Sequence, residues 1–420
     1  EAISRFAHRY YKNVIEINFV IQKEYREIFS DGYEVDTILR NISFLDPALE
    51  MEPGRTLIFF DELQACPDCA TSLKSFSLDG RYDVICSGSL MGISYREIES
   101  NSVGFKEDIT MYPLDFEEYL WAKGYSDEQI DLLYRHMKEM KPLPGIVLSA
   151  LREAFREYLV LGGMPAVVWR YIQTGNFSGT LALQNQLLLD YEEDITKYAQ
   201  GLDQAKILSV YRKIPVFLGK ENKKFQYSIV KKGGRSSQYI GSIQWLEDAG
   251  IVRRCYNTQI TELPLEGNSI KDCFKVYTTD IGVLVAMLDY GTQADILKGN
   301  LLGYKGAIFE NLMADFLCKS GQKLYYFHKD SGLELDFLVR FKGECVILEV
   351  KAKTGKAKSM ATILKNKDVY HVKNAIKLGQ YNVGREGDIL TIPLYMGFLV
   401  EDRLADVIIP DVDVSLLTTI

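Results

Sequence analysis

Short unbroken apolar runs alternate along this chain with longer stretches of helical spacing. NVIEINF (13–19), TLIFF (56–60) and the apolar part of RYDVICSGSL (81–90) have strand length, and continuous apolar strands of this kind are covered on both faces of a sheet. Between them, EAISRFAHRYY places Ile3, Phe6 and Ala7 at helical intervals, the polar stretch to about residue 50 is helix-rich, and residues 63–79 can form a helix. Strands alternating with helices predict βαβ units and a mostly parallel sheet, hence an α/β fold.

After TMYPLDFEEYL (110–120) the pattern turns helical, around 127–140 and 148–162, and breaks at Gly162-Gly163-Met164-Pro165. Helices dominate to about residue 220. In SSQYIGSIQWLEDAG, Ile240, Ile243 and Leu246 share one helical face, the helix ends at Gly250, and the strands GIVRRCYN and CFKVYTT follow. That is the profile of a winged helix-turn-helix, whose second helix can enter a DNA major groove. Lys220, Lys223, Lys224, Lys231, Lys232 and Arg235 precede it with Glu221 opposing them. Such a cluster can neutralise phosphates, which makes DNA a candidate partner; a solvated basic face on a packing module fits the same residues. From about residue 300 the pattern predicts a helix (GAIFENLMADFLCKSG), three strands (KLYYFH, ELDFLVRF, CVILEVKA), a helix and the strand VYHVKNAIKLG.

In LIFFDELQ the buried strand ends on Asp61-Glu62. Carboxyl ends of parallel strands line the crevice where ligands bind. An Asp there can orient the waters of a Mg²⁺ carried by nucleotide phosphates, and the adjacent Glu can polarise a water for attack on the γ-phosphate. Ser87 and Ser89, at the end of the next strand, can sense that phosphate. Capping of the following helix by Asp61 or Glu62 is the competing reading.

LIFFDEL, SGSL, MYPLDFEEYL and LGGMPAVV together resemble a family of prokaryotic AAA+-type P-loop ATPases, and the similarity continues through LDYEEDITKY, RSSQYIGSIQWLEDAGIV, FKVYTTDIGVL and KGAIFENLMADFL. The resemblance implies ATP and Mg²⁺ as cofactors, Asp61-Glu62 as the Walker B pair, Ser87 or Ser89 at the sensor position, and assembly with further protein subunits. Two departures stand out. Gly104-Phe105-Lys106 replaces the Gly-Arg that many relatives carry before this stretch, which speaks against an arginine finger there; Arg96 lies close after the sensor strand, and a surface charge is the competing role for either residue. No GxxxxGK[ST] is present, and the family would place it just before residue 1.

ELDFLVRFKGECVILEVKAK sets Asp336 on one strand and Glu349 and Lys351 on the next, the last two on one face by the period of two. Two carboxylates can hold Mg²⁺ while the Lys orients a water toward a phosphodiester, and Glu310 on the preceding helix is a further acid. The arrangement resembles the PD-(D/E)xK nuclease core, with Glu310, Asp336, Glu349 and Lys351 on its motif positions and ELD in place of Pro-Asp. Ordinary cross-strand ion pairs are the alternative. The expected domains are therefore an AAA+-like core (1–122), a helical lid or linker (123–205), a winged-helix domain (206–295) and a nuclease-like domain (296–420). The expected function is ATP-coupled action on nucleic acid; an ATP-regulated interaction module with an inert nuclease-like fold is the alternative.

Composition narrows the setting. Length alone, 420 residues, exceeds one core. No run approaches a membrane span and no signal pattern opens the chain, so a cytoplasmic protein is expected. Cys66 and Cys69 form a CxxC without the second pair that zinc wants, and a net charge of -8 argues against a surface coated for nucleic acid while leaving room for a local basic patch. Without the glycine cradle and its Lys, this 420-residue chain should bind ATP poorly. A titration giving micromolar affinity would contradict that expectation.

Overall fold

The computed structural model describes residues 1–88, 102–199, 204–220, 224–226, 230, 236–300, 304–353, 355 and 357–400. The chain divides into two compact units, one of Glu1–Met111 with Asp248–Gly250, the other of Tyr112–Glu247 with Ile251–Ile420.

In the first unit the three apolar runs become β1 (Asn13–Asn18), β2 (Thr56–Asp61) and β3 (Asp83–Cys86), all parallel, in the order β1-β2-β3. The middle strand is buried at every position but its last, Asp61. Helices Ala2–Tyr10, Val35–Leu45 and Pro67–Asp79 complete the unit. The last begins on Pro67, whose missing N–H costs nothing in a first turn, so the helix expected over 63–79 is preceded by a separate 3-10 turn at Leu63–Ala65. Stacked Phe19 and Phe60, with ring centroids 5.5 Å apart, anchor the core. Cys66 and Cys69 belong to that core; burial pushes the Cys66 thiol up to about 11 and raises Cys69 as well. The CxxC is therefore a pair of protonated core residues, the reverse of a thiolate site.

The second unit holds an eight-stranded sheet in the order β10-β11-β9-β8-β7-β6-β4-β5. Its strands are β4 (Val252–Thr258), β5 (Ser269–Thr278), β6 (Leu324–His328), β7 (Glu334–Phe341), β8 (Glu344–Val350), β9 (Asn374–Gly379), β10 (Gly384–Glu386) and β11 (Ile389–Pro393). One sheet spans residues on both sides of the expected 295/296 border. The strands read as a wing, β4 and β5, do form an antiparallel hairpin, but β4 also pairs in parallel with β6. A border at 295/296 would cut through one sheet, and the helices between Phe116 and Leu218 share this unit. One correction concerns VYHVKNAIKLG: Lys367–Tyr370 is a helical turn closed by His371 in the left-handed region (φ 52°), and the strand starts only at Asn374.

The Gly-Gly-Met-Pro break is a backbone crossing. Gly163 N–H donates to Asp280 Oδ2 at 2.6 Å, Leu114 N–H donates to Gly163 O at 2.8 Å, and Asp280 Oδ1 accepts from Val283 N–H at 2.8 Å, capping the helix Ile281–Ala286. A β-carbon at Gly163 would stand 1.8 Å from Leu114 O, and one at Gly282 2.3 Å from Leu161 O. Glycine is required at both places because backbone, not a movable side chain, fills the space. Gly163→Ala should therefore cost about 3 kcal/mol or more in urea unfolding; an unchanged midpoint would show that the crossing yields.

Candidate functional site

Residues at the carboxyl ends of β1, β2 and β3 converge in the first unit. The register sets Asn18 opposite Asp61. Asn18 Nδ2 donates to Asp61 Oδ2 at 2.7 Å, while its Oδ1 accepts from the N–H groups of Val20 and Ile21, both at 3.0 Å, which fixes the amide's orientation. Ser87 Oγ donates to Asp61 Oδ1. Backbone bonds lock the serine in turn, Ser87 N–H to Phe60 O at 2.9 Å and Leu63 N–H to Ser87 O at 3.0 Å. Asp61 is thus presented at the strand end between an amide and a hydroxyl. Glu62 follows in the left-handed region (φ 59°, ψ 48°), a conformation costly for a residue with a β-carbon and frequent at functional sites. Gln64 holds its carboxylate.

Neither acid caps a helix through its side chain, so the capping alternative fails. Asn18 was missed in the sequence because a neutral amide at a strand end carries no pattern. The carboxylate and hydroxyl oxygens of Asp61 and Ser87 are donors of the kind Mg²⁺ takes. Ser89 and Arg96 lie outside the described residues. Lys106 pairs with Asp108 at 2.9 Å.

In the second unit, Glu310, Asp336, Glu349 and Lys351 share one electrostatic neighbourhood. Glu310 projects from the helix Lys305–Lys319 and is buried. The β7–β8 ladder runs from Phe337↔Leu348 to Phe341↔Glu344, which puts Asp336 and Glu349 one step beyond its end. Asp336 Oδ2 accepts from Val350 N–H at 2.8 Å. Lys351 Nζ donates to Glu349 Oε1, whereas Glu349 Oε2 is buried without a hydrogen-bond partner. Burial raises the Glu349 pKa, Lys351 opposes the rise and Glu310 adds to it. For Lys351, burial works against the charge but Glu349 prevails and holds it above the ordinary lysine value.

A second lysine, absent from the sequence reading, completes the cluster. Lys275 on β5 is only 1% exposed; its ammonium donates to Glu334 Oε1 at 2.9 Å, stands 3.8 Å from Glu310 Oε2 and lies 4.8 Å from the Tyr326 ring centre. Burial depresses its pKa, yet Glu310, Glu334 and Asp336 outweigh that and raise it. Tyr277, two positions on and so on the same strand face, donates to Glu310 Oε2 at 3.1 Å. Among the described residues no group of three or more His, Cys, Asp or Glu stands close enough to hold a metal ion. Around the carboxylates expected to hold Mg²⁺, Lys351 pairs with Glu349 and Lys275 stands 3.8 Å from Glu310.

Of the expected DNA-binding segment, Lys220 and Lys224 are described, Lys224 lying 3.1 Å from His328 Nδ1; Lys223, Lys231, Lys232 and Arg235 fall outside the described residues. Among the described residues no helix is long and apolar enough to cross a membrane.

A family model described as an AAA domain matches residues 2–120. Two further models, each described as a domain of unknown function, DUF8612 and DUF4143, match residues 152–294 and 305–395. Among solved structures, the Walker-type ATPase PABY2304 of Pyrococcus abyssi is similar at 13% identity and a TM-score of 0.36, covering 66% of this chain and 84% of that one, a likeness too distant to carry weight here. No curated protein matches. The AAA-domain match falls on the segment that carries the parallel sheet and Asp61.

The paired charges make a pH prediction. Glu349 is held above the usual carboxylate range, so the unfolded chain releases this proton at lower pH than the folded chain, and stability from this group falls as pH rises through that window. Lys351→Ala removes the opposing cation. Its destabilisation in urea melts should grow by about 3 kcal/mol between about pH 5 and about pH 8, and the double variant with Glu349→Gln should lose that growth.

Proposed function

We propose that the chain is an AAA-type ATPase whose second unit binds nucleic acid on a nuclease-like scaffold without cutting it. The observation that carries the first half is Asp61, set at the carboxyl end of the central buried strand between Asn18 and Ser87. Asp61 with Ser87 would hold Mg²⁺ beside the nucleotide phosphates, and the bound ion would supply charge neutralisation there. Glu62, next in sequence and displaced from the strand by its left-handed backbone, is the group to polarise the attacking water. Ser87, tied to Asp61, positions that carboxylate.

Support for binding rather than cleavage comes from the lysines. Lys351 pairs with Glu349, and Lys275 lies between Glu310 and Glu334, so two of the cluster's positive charges are already engaged with its carboxylates. The competing reading, Mg²⁺-dependent cleavage, draws on one atom, the buried and unpartnered Glu349 Oε2.

Two measurements separate these halves. Glu62→Gln should lower ATP turnover about 10²-fold or more while leaving nucleotide binding as in the parent; undiminished turnover would remove Glu62 from the mechanism. Plasmid incubated with the chain and Mg²⁺ should stay intact. Nicking that disappears in Lys351→Ala would establish the cleavage reading instead.

A further inference from the structure

Strands β8, β9 and β11 are parallel neighbours, so Lys351, Gly379 and Pro393 lie together at one carboxyl edge of the large sheet. That edge is where open α/β sheets bind ligands. A cavity of about 120 Å³ opens there. Its charges are of one sign. Arg152 and Arg156 enter from the helix Gly145–Leu161 and Lys305 from the first turn of the helix Lys305–Lys319, and no Asp or Glu lines it. Arg156 is paired with Glu153 at 2.8 Å outside the lining, but Arg152 makes no hydrogen bond or ion pair among the described residues. Lys305 sits 5.3 Å from the centre of the Phe309 ring. Burial, and then repulsion from Lys353, lower its pKa, a penalty that a bound anion relieves.

The walls between the cations are aromatic. Phe309, Tyr381 and Tyr395 all line the cavity, and the Tyr395 hydroxyl is buried with no hydrogen-bond partner. Gly379 lets Tyr381 close over the strand end, because a β-carbon there would meet Lys351 O at 2.7 Å and the Tyr381 ring at 3.0 Å. Two guanidiniums and an ammonium without a carboxylate suit a doubly charged phosphate, which arginine can grip with two parallel bonds. Flat rings beside them suit a base. We infer that this cavity, at the Lys351 edge of the sheet and bounded by Arg152, Arg156, Lys305, Phe309 and Tyr381, binds the phosphate monoester of a nucleotide. The nucleotide is either free or the phosphorylated end of a strand.

This assignment deepens the nucleic-acid reading of the second unit, and the test keeps the two apart. The 420-residue chain, in EDTA and at one fixed salt concentration, is titrated into fluorescent single-stranded DNA 12-mers that differ only in carrying a 5′-phosphate or a 5′-hydroxyl. The phosphorylated strand should bind about tenfold tighter or more. Arg152→Ala with Lys305→Ala should abolish that preference and leave binding of the hydroxyl strand unchanged, and Lys305→Arg should retain most of it. Arg152 is exposed, and half-buried Lys305 is disfavoured by its burial, so the double variant should unfold near the urea concentration of the parent. Competition by AMP as strong as by the phosphorylated strand identifies a free nucleotide as the ligand; competition by the strand alone identifies its end. A chain that ignores the hydroxyl strand yet binds AMP through Arg152 and Lys305 loses the nucleic-acid reading and keeps this pocket. Equal binding of the two strands together with no AMP binding, or a phosphate preference that survives the double variant, overturns the assignment.

Discussion

One buried ammonium organises the larger unit. Lys275 comes from the edge strand β5, whose partner β4 is sequence-distant from β6, and it meets carboxylates from the helix Lys305–Lys319 and from β7. An unpaired charge at that depth would cost several kcal/mol, so Glu310 and Glu334 must be present once Lys275 is. The same helix also clamps the end of β5 through Asn311, whose side chain accepts from Thr278 N–H at 2.8 Å and donates to Thr278 Oγ1 at 2.9 Å. Adjacent residues of one helix thus neutralise the buried lysine and satisfy the strand's backbone. This is why the middle of the chain and its C-terminal part form a single sheet.

The pairing also determines the chemistry. Glu310, Asp336, Glu349 and Lys351 share one neighbourhood in which Lys351 pairs with Glu349 and Lys275 stands beside Glu310. The first unit differs. There Asp61 accepts from two neutral side chains, Asn18 and Ser87. Two strand-end carboxylate sites in one chain thus differ in setting: lysines lie among the acids of one, and neutral donors hold the acid of the other.

Much of this could be read from the sequence, for physical reasons. β1, β2 and β3 announce themselves because strands covered on both faces must be continuously apolar, and the acid at the end of such a strand can only face the crevice. Cross-strand placement of Asp336 and Glu349 follows from hairpin spacing. What stayed hidden was non-local. Nothing in GIVRRCYN tells that its strand pairs with KLYYFH far along the chain, so a hairpin joined to a larger sheet looked like a wing. Lys275 was not singled out, because its burial shows only in the fold, where Phe274 and Val276 on one face and Tyr277 beside it on the other are all buried. The Val369-Tyr370 segment read as strand because two apolar residues cannot by themselves distinguish the periods; the turn at His371 decides it.

The most direct measurement is the urea stability of Lys275→Met beside that of the double variant with Glu310→Gln. If the buried ammonium holds the acids in place, the single variant loses about 3–5 kcal/mol and the added glutamine restores a good part of it. A methionine variant as stable as the parent, or a loss that the glutamine does nothing to repair, would contradict the account.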